Sequence, residues 1–417
     1  MASRSIVPFL VAMMLLTGVC NTLLTKYQDM QCVRNCDDPD ASKHAYFNQP
    51  VLQTAQMFVG EMGCWLVVGA MALWRKLAAR KGAQSHGYEA IRSSDNDGDA
   101  AQATTSLIDP NDDGPKPAGG DGDTPIMKGR LILLLALPAI CDICGTTLMN
   151  VGLLLVVASI YQMTRGALVL FVGLFSVLFL RRRLFLFQWL SLAGVVLGVA
   201  IVGLAGALFH EGKGEAGSKL ITASPPASSA WLSVAGVLLI AGAQIFTATQ
   251  FVLEEYMLER WAIEPIQVVG WEGVFGFVVT VFAMVILHLS FGRSDAGRLG
   301  YFDMVEGWRQ MTTNKEIGLS SLLIMISIGG FNFFGLSVTR SVSATSRSTI
   351  DTCRTLFIWI VSLGLRWESF KWLQVVGFAM LVYFTFLFNG IVQPPFQFLQ
   401  VEQEVEELLP EEPIEHH

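Results

Sequence analysis

The stretch T-S-R-S-T-I-D-T-C-R runs from Thr345 to Arg354 in an otherwise apolar part of the chain. Its charged residues are Arg347, Asp351 and Arg354. A charged side chain at the centre of a bilayer costs about 2.5 to 3.5 kcal/mol on insertion scales, so three in one helix are tolerated only when they are paired or hydrated. At helical positions i, i+4 and i+7 they share one face, where Asp351 is able to neutralise either arginine. We therefore expect this face to point inward, toward a cavity or a partner helix.

The composition indicates a polytopic membrane protein. Of the 417 residues, 52% are hydrophobic and only 15% are charged, whereas soluble domains carry about 25% charged residues. No basic domain points to nucleic acid. The six histidines and seven cysteines are scattered along the chain, so we expect neither a metal site nor a cofactor. Cys141 and Cys144 form a C-x-x-C in an apolar segment, where buried small hydrophobes are the favoured interpretation and redox or metal chemistry is the alternative.

A membrane-spanning helix needs about 20 mostly apolar residues. On that criterion the sequence predicts ten spans, at residues 5–25, 51–74, 130–150, 155–180, 185–208, 231–256, 266–290, 317–339, 345–365 and 371–392. The third and fourth spans are separated by a turn expected near Asn150 to Gly152. The predicted fold is therefore all-α, with spans 1 and 2 in residues 1–74, spans 3 to 5 in 130–208 and spans 6 to 10 in 231–392. We expect the first span to be retained, with cleavage as a signal peptide as the alternative.

Two polar segments are predicted to be disordered and cytosolic. Residues 75–129 form a loop rich in Asp, Gly, Ser and Pro, and residues 393–417 form an acidic tail. Lys and Arg of the first half concentrate on the side that holds both termini, which the positive-inside rule assigns to the cytosol, although the second half has the opposite bias. The tail contains E-V-E-E-L-L, which fits the acidic dileucine pattern that adaptor complexes bind, the alternative being an amphipathic fragment. The residues of this sorting motif are Glu404, Leu408 and Leu409.

A faint internal repeat predicts two inverted halves. Two halves of five crossings each must be inverted relative to one another, which is the architecture of many secondary transporters. The repeat aligns Arg165 with Asp351, and we expect these two side chains to face one cavity from opposite repeats. The similar stretches are V-G-E-M-G at Val59 to Gly63 with V-G-W-E-G at Val269 to Gly273, and A-S-I-Y-Q-M-T-R from Ala158 with A-T-S-R-S-T-I-D from Ala344.

Charged and polar residues within the predicted spans are the candidate site. Arginines suit an anionic substrate group and buried acids suit a coupling proton, whereas structural ion pairs between the halves are the alternative. The substrate-cavity candidates are Tyr161, Gln162, Arg165, Arg347, Asp351 and Arg354, and the coupling candidates are Glu61, Asp142 and Glu272.

Two further motifs leave alternatives open. Cys32 and Cys36 lie in a polar loop predicted to be lumenal, where they form either a local disulfide or two free thiols. Gly194 and Gly198 form a G-x-x-x-G, for which packing within the chain is favoured over a homodimer.

Several ordered stretches together resemble the drug/metabolite transporter superfamily, and within it solute carrier family 35, the nucleotide-sugar-transporter-like group. The resemblance implies ten helices in two inverted repeats, with the fourth and ninth helices lining a central cavity. It also implies a lysosomal or related endomembrane location, with the Golgi or the mitochondrion as alternatives. The stretches that carry it are P-A-I-C-D-I-C-G-T-T-L-M from Pro138, Y-Q-M-T-R-G-A-L-V-L-F from Tyr161, V-L-E-E from Val252 and S-V-T-R-S-V-S-A-T-S-R from Ser337.

The function predicted from the sequence is secondary transport of a small polar or anionic metabolite across an endolysosomal membrane by alternating access. The expected partners are a small-molecule substrate, the lipid bilayer and adaptor complexes at the tail, with a homodimer as an open alternative. A non-transporting membrane scaffold, acting through the acidic tail and the loop, is the alternative function. No nucleophile–base pair or phosphate-cradling glycine loop stands at useful spacing, so we do not expect an enzyme.

Overall fold

The computed structural model describes residues 6–36, 44–86, 125–127, 129–156, 161, 164–208, 230–293, 300, 302–365 and 370–394. Within these residues the regular secondary structure is helical apart from one small hairpin, in which strands β1 (Cys32–Arg34) and β2 (Ala45–Tyr46) pair antiparallel. Cys32 and Cys36 form a disulfide beside this hairpin, which decides between the two alternatives left open by their spacing. Cys141 and Cys144 are free thiols and are partly buried.

Twelve α-helices occur in the described residues. A 3-10 helix (Gly129–Leu135) leads into α4, and a π-helical turn (His288–Gly292) follows α8. In chain order the α-helices are α1 (Ile6–Asp29), α2 (Pro50–Met62), α3 (Cys64–His86), α4 (Ala136–Leu155), α5 (Leu168–Phe179), α6 (Leu186–Leu208), α7 (Ala230–Arg260), α8 (Pro265–Leu287), α9 (Met304–Thr313), α10 (Lys315–Ser341), α11 (Ala344–Gly364) and α12 (Trp372–Phe388).

The described helices make this an all-α polytopic membrane protein, and the count of ten spans stays a prediction. Shorter apolar helices occur at Leu168–Phe179, Leu186–Val202 and Trp372–Phe388, and α11 is long enough to span but carries the three charges discussed above. Six helices of the described residues are long and apolar enough to cross a membrane, namely Ile6–Asp29, Pro50–Ala78, Gly129–Leu153, Val234–Arg260, Pro265–Gly292 and Lys315–Ser341.

The turn expected near Asn150 to Gly152 is wrong. Helix α4 continues through these residues to Leu155 and ends where Val156 adopts an extended conformation. Gly152 is present because two helices approach closely there: an added Cβ would lie 2.5 Å from Ile240 and 3.1 Å from the carbonyl oxygen of Gly236, both on α7. A glycine that permits close packing was therefore mistaken for a glycine that permits a turn.

The main helix contacts have the same pattern in the two halves of the chain, residues 6–208 and 230–394. Helices α2 and α8 pack together, as do α6 and α12, α4 and α7, and α1 and α10. In the order of the predicted spans these pairs are 2–7, 5–10, 3–6 and 1–8. Exchanging each span with the one five places away leaves the first two pairs unchanged and converts the third into the fourth. The contacts α5–α7 and α1–α11 exchange in the same way, as do α2–α10 and α4–α8.

Glycines set how closely these helices approach. On α2 and α8, an added Cβ at Gly273 would lie 2.6 Å from the backbone nitrogen of Met62. On α10, an added Cβ at Gly329 would lie 2.6 Å from the carbonyl oxygen of Gly60. The G-x-x-x-G of α6 packs on α12, since an added Cβ at Gly198 would lie 2.9 Å from the carbonyl oxygen of Gly377. This motif therefore packs within the chain, and a homodimer stays a prediction.

Candidate functional site

Helix α11 is unusually polar for a buried helix, and its own backbone satisfies most of its hydroxyl groups. Its N-terminus is capped by Ser343, whose side chain accepts a hydrogen bond from the backbone N–H of Ser346 at 3.0 Å. Hydroxyl groups that donate to a carbonyl three residues earlier need no other partner, so they can be buried between helices. The residues that donate in this way are Ser348, Thr349, Thr352 and Thr355.

Arg347, in the first turn of α11, is buried and paired with Glu254 of α7. Its Nη1 lies 2.5 Å from Oε2 of Glu254, and the two side chains are 2% and 1% exposed. The other carboxylate oxygen of Glu254 accepts a hydrogen bond from Gln250 at 2.9 Å. The guanidinium stacks 4.2 Å above the ring of Phe251 and occupies the space left by Gly335. Arg347 is therefore already neutralised inside the protein.

Asp351 and Arg354 form a second pair, two turns along α11. The distance from Nε of Arg354 to Oδ1 of Asp351 is 3.2 Å, and the side chains are 12% and 14% exposed respectively. The guanidinium of Arg354 lies 4.8 Å above the ring of Phe331, and its Cδ occupies the space left by Gly18. Asp351 was expected to neutralise either Arg347 or Arg354. It pairs with Arg354, because Arg347 is paired with Glu254 of α7.

Four carboxyl groups from different helices gather around Arg347. Glu272 is within electrostatic range of the three others and of Arg347, and Asn332 of α10 donates a hydrogen bond to Glu61 at 2.6 Å. The predicted coupling residues thus lie near one another, together with an acid that was not predicted. The four residues, which we call the acidic cluster, are Glu61 of α2, Asp142 of α4, Glu254 of α7 and Glu272 of α8.

The remaining predicted cavity residues lie before α5. Arg165 is partly buried and within electrostatic range of Arg354. Tyr161 is also partly buried, and Gln162 lies outside the described residues. Helices α5 and α11 touch where the hydroxyl groups of Ser176 and Thr345 are 3.1 Å apart. Arg165 is thus near the partner of Asp351, while a common cavity for Arg165 and Asp351 stays a prediction.

A polar contact at the N-terminus of α11 joins the two halves. Glu255 is 1% exposed, accepts a hydrogen bond from the backbone N–H of Ala344 at 3.2 Å, and lies 3.0 Å from Nη2 of Arg182. Arg182 follows α5 and also contacts Glu259. One buried carboxylate therefore ties the start of α11 to α7 and to the chain between α5 and α6.

Glu254 and Glu255 were missed as site residues, although V-L-E-E was noted as a motif. Both fall near the end of the predicted span 231–256, where acids are expected to reach water. Helix α7 continues to Arg260, so these acids lie more than a turn inside it and against α11. The signal was available as two charges inside a predicted span.

Comparison with known proteins identifies the family. The family model of the nucleotide-sugar transporters matches residues 125–223. Solute carrier family 35 member F6 of Homo sapiens is 36% identical over 390 residues, which cover 93% of this chain and 89% of that protein. The Mus musculus member F6 is 35% identical over 395 residues, covering 94% and 90%. An uncharacterized protein of Schizosaccharomyces pombe is 35% identical over 382 residues, covering 92% and 97%.

Apolar helices that enclose charged residues from several elements define a polytopic membrane protein with a polar interior. The chain belongs to solute carrier family 35, in which it is similar to the F6 members. It is therefore a transporter of the solute carrier type and not an enzyme.

Proposed function

We propose that this protein is a secondary transporter that moves a small polar or anionic metabolite across an endolysosomal membrane by alternating access. Its ten spans form two inverted repeats of five, which tilt relative to one another around a central site. The observation that supports this architecture is the helix contact pattern, because the main contacts are unchanged when the halves are exchanged. Inverted repeats with this property give two equivalent arrangements, one open to each side of the membrane.

The substrate site is centred on Arg354 and Asp351 of α11, with Arg165 beside them. Helix α11 has 21 residues, from 344 to 364, so Arg354 has ten residues on each side and lies at the middle of the helix. Substrates of such transporters bind near the middle of the membrane. Both side chains retain some exposure, whereas Arg347 is enclosed and neutralised by Glu254. Arg165 and Arg354 are therefore the cations that suit an anionic substrate group.

Reconstitution tests this function. The purified full chain in proteoliposomes should take up at least one compound from an aqueous metabolite extract, and mass spectrometry of the vesicle contents measures this uptake. Arg354→Ala and Asp351→Asn should each reduce that uptake at least tenfold, because a hydrogen bond to a charged group contributes about 1.5 to 3 kcal/mol. Arg260→Ala is the matched control, since Arg260 is exposed at the end of α7. Undiminished uptake by both site variants would place the substrate elsewhere.

The proposed endolysosomal location depends on a sorting motif in the C-terminal tail. We propose that adaptor complexes bind the dileucine motif, Glu404 with Leu408 and Leu409, which lies outside the described residues. The sequence of this tail is acidic and lacks a long apolar stretch, which is a composition expected of a segment accessible to adaptors.

A further inference from the structure

We propose that the acidic cluster is a proton-binding site, separate from the substrate site at Arg354 and Asp351, and that Glu272 carries the proton that is coupled to transport. The coupling role of Glu272 rests on the proposed transport function, whereas proton binding at Glu272 is testable without any substrate. Its members come from four helices, namely Glu61, Asp142, Glu254 and Glu272.

Charge balance is the first argument. Among the described residues, the cation within the cluster is Arg347, and it is bound to Glu254 at 2.5 Å. If all four acids were ionised, three negative charges would remain in the interior of a membrane protein. An unpaired buried ion costs several kcal/mol, so these carboxyl groups must bind a cation. The cluster therefore holds protons or another positive species.

The hydrogen bonds indicate which acid exchanges the proton. Both oxygens of Glu254 are engaged, by Arg347 and Gln250. Glu61 accepts from Asn332. Asp142 is only partly buried, whereas Glu272 is 6% exposed and its Oε1 has no hydrogen-bond partner in the described part of the chain. A buried oxygen without a donor is the position at which a proton has the most to gain.

The spacing of the acids favours a proton over a metal ion. A bound Ca²⁺ takes about six to eight oxygen ligands drawn close around it. Within the residues that the structure describes, no three His, Cys, Asp or Glu side chains are close enough together to hold a metal ion. The groups that face Glu272 from the neighbouring helices are the three other acids and Arg347, all within electrostatic range. Electrostatic coupling at this range requires no direct coordination.

The position of the cluster couples proton binding to the movement of the repeats. Glu61 and Asp142 belong to the first half, and Glu254 and Glu272 belong to the second. At the crossing of α2 and α8, an added Cβ at Gly273 would lie 2.7 Å from Cβ of Glu61, so the two halves touch beside the cluster. Ionised acids on opposite repeats repel each other, and a proton on Glu272 removes one of the charges. Protonation therefore favours the arrangement in which the acids are close.

Chemical labelling tests the proton site. Dicyclohexylcarbodiimide adds to protonated carboxyl groups in apolar surroundings, and peptide mass spectrometry locates the adduct. The full chain in proteoliposomes should be labelled at Glu272, several-fold more at pH 5.5 than at pH 8.5. Glu272→Gln should lose this adduct, and Glu264→Gln, an exposed position before α8, should keep it. An unlabelled Glu272 in monodisperse wild-type protein overturns the proposal, as does labelling at another cluster acid in its place.

Transport driven by a gradient tests the coupling. With one proton per substrate, an imposed gradient of one pH unit should concentrate the transported compound of an aqueous metabolite extract about tenfold at equilibrium. Glu272→Gln should reduce this accumulation to about one, Glu272→Asp should restore part of it, and Glu264→Gln should match wild type. Accumulation that is independent of the pH gradient, or that depends on a Na⁺ gradient and not on the pH gradient, overturns proton coupling. Absence of all transport contradicts the proposed function, while the labelling at Glu272 decides the proton site by itself.

Discussion

Arg347 and Arg354 occupy similar surroundings made from different helices. Each guanidinium lies against one aromatic ring and one glycine: Arg347 against Phe251 and Gly335, and Arg354 against Phe331 and Gly18. The ring supplies a cation–π contact and the glycine supplies the space. The sequence predicted that charges lie inside the protein, but it did not predict their partners. Glu254 is 93 residues from Arg347, and local spacing carries no information about contacts at that separation.

The Arg347–Glu254 pair gives a stability prediction. Replacing one member of a buried ion pair leaves the other charge unpaired, so Arg347→Met should lower the free energy of unfolding by about 3 to 5 kcal/mol. Adding Glu254→Gln should recover a large part of this loss, since no buried charge then remains unpaired. Thermal unfolding of the detergent-purified protein measures both effects.

An ion pair with an exposed arginine is the control for that measurement. Arg309 pairs with Glu306 at 2.8 Å; the side chains are 66% and 7% exposed, and Glu306 also accepts a hydrogen bond from Gln310 at 3.0 Å. Because water screens the exposed guanidinium and Gln310 keeps its hydrogen bond to Glu306, Arg309→Ala should cost about 1 kcal/mol, less than Arg347→Met. Equal effects of Arg347→Met and Arg309→Ala would contradict the buried pairing.

At the scale of helices, the repeated motifs V-G-E-M-G and V-G-W-E-G meet one another. The first ends α2 and the second lies in α8, and the two helices cross at Gly273 and Met62. The sequence indicated the equivalence of the two motifs, and the structure adds that they are in contact. It could not indicate the end of α4, because a glycine serves a turn and a helix crossing equally well, and only the packing of Gly152 on α7 distinguishes them.

The helix crossing gives a second stability prediction. Gly273→Ala should destabilise the protein by about 1 to 3 kcal/mol, since its Cβ would lie 2.6 Å from a backbone atom that no side-chain rotation can move. Gly242→Ala, in the interior of α7, is the matched control. An added Cβ there meets nothing within 4 Å, so this variant should gain about 0.5 to 1 kcal/mol. Thermal unfolding should rank the variants Gly242→Ala, wild type, Gly273→Ala, and the reverse order would contradict the packing described for α2 and α8.

At the scale of the whole molecule, hydropathy was sufficient to indicate an all-α polytopic membrane protein, because burial in lipid imposes a length and a composition on each span. The site was only partly predictable. Its charged residues stood out against the apolar background, whereas the division into the Arg354–Asp351 pair on α11 and an acidic cluster around Arg347 depends on contacts that the sequence does not show. The motif at Glu404, Leu408 and Leu409 lies beyond the described residues and stays a prediction.

Removal of the tail distinguishes a transporter from a scaffold. A chain without residues 395–417 should keep its uptake in proteoliposomes, because the described helices and the proposed substrate site precede the deletion. In cells, the proposed endolysosomal location should be lost toward the cell surface both in this deletion and in the double variant Leu408→Ala/Leu409→Ala, as fluorescence microscopy measures. A scaffold that acts through the tail would show no uptake with or without the tail, and its effect in cells would be lost with the deletion. Unchanged endolysosomal location of the double variant would contradict adaptor binding.

Where α2, α8 and α10 cross, main chain lies against main chain at Gly60, Gly273 and Gly329. Helices that tilt about a crossing move least at the crossing point. A crossing made of backbone contacts also has no side-chain rotamers to rearrange. If the repeats tilt about this point, the helix ends travel far while the crossing hardly moves. Large openings at the two membrane surfaces are then compatible with backbone packing that is preserved at these three glycines, while acidic side chains on helices farther from the crossing change their distances to one another.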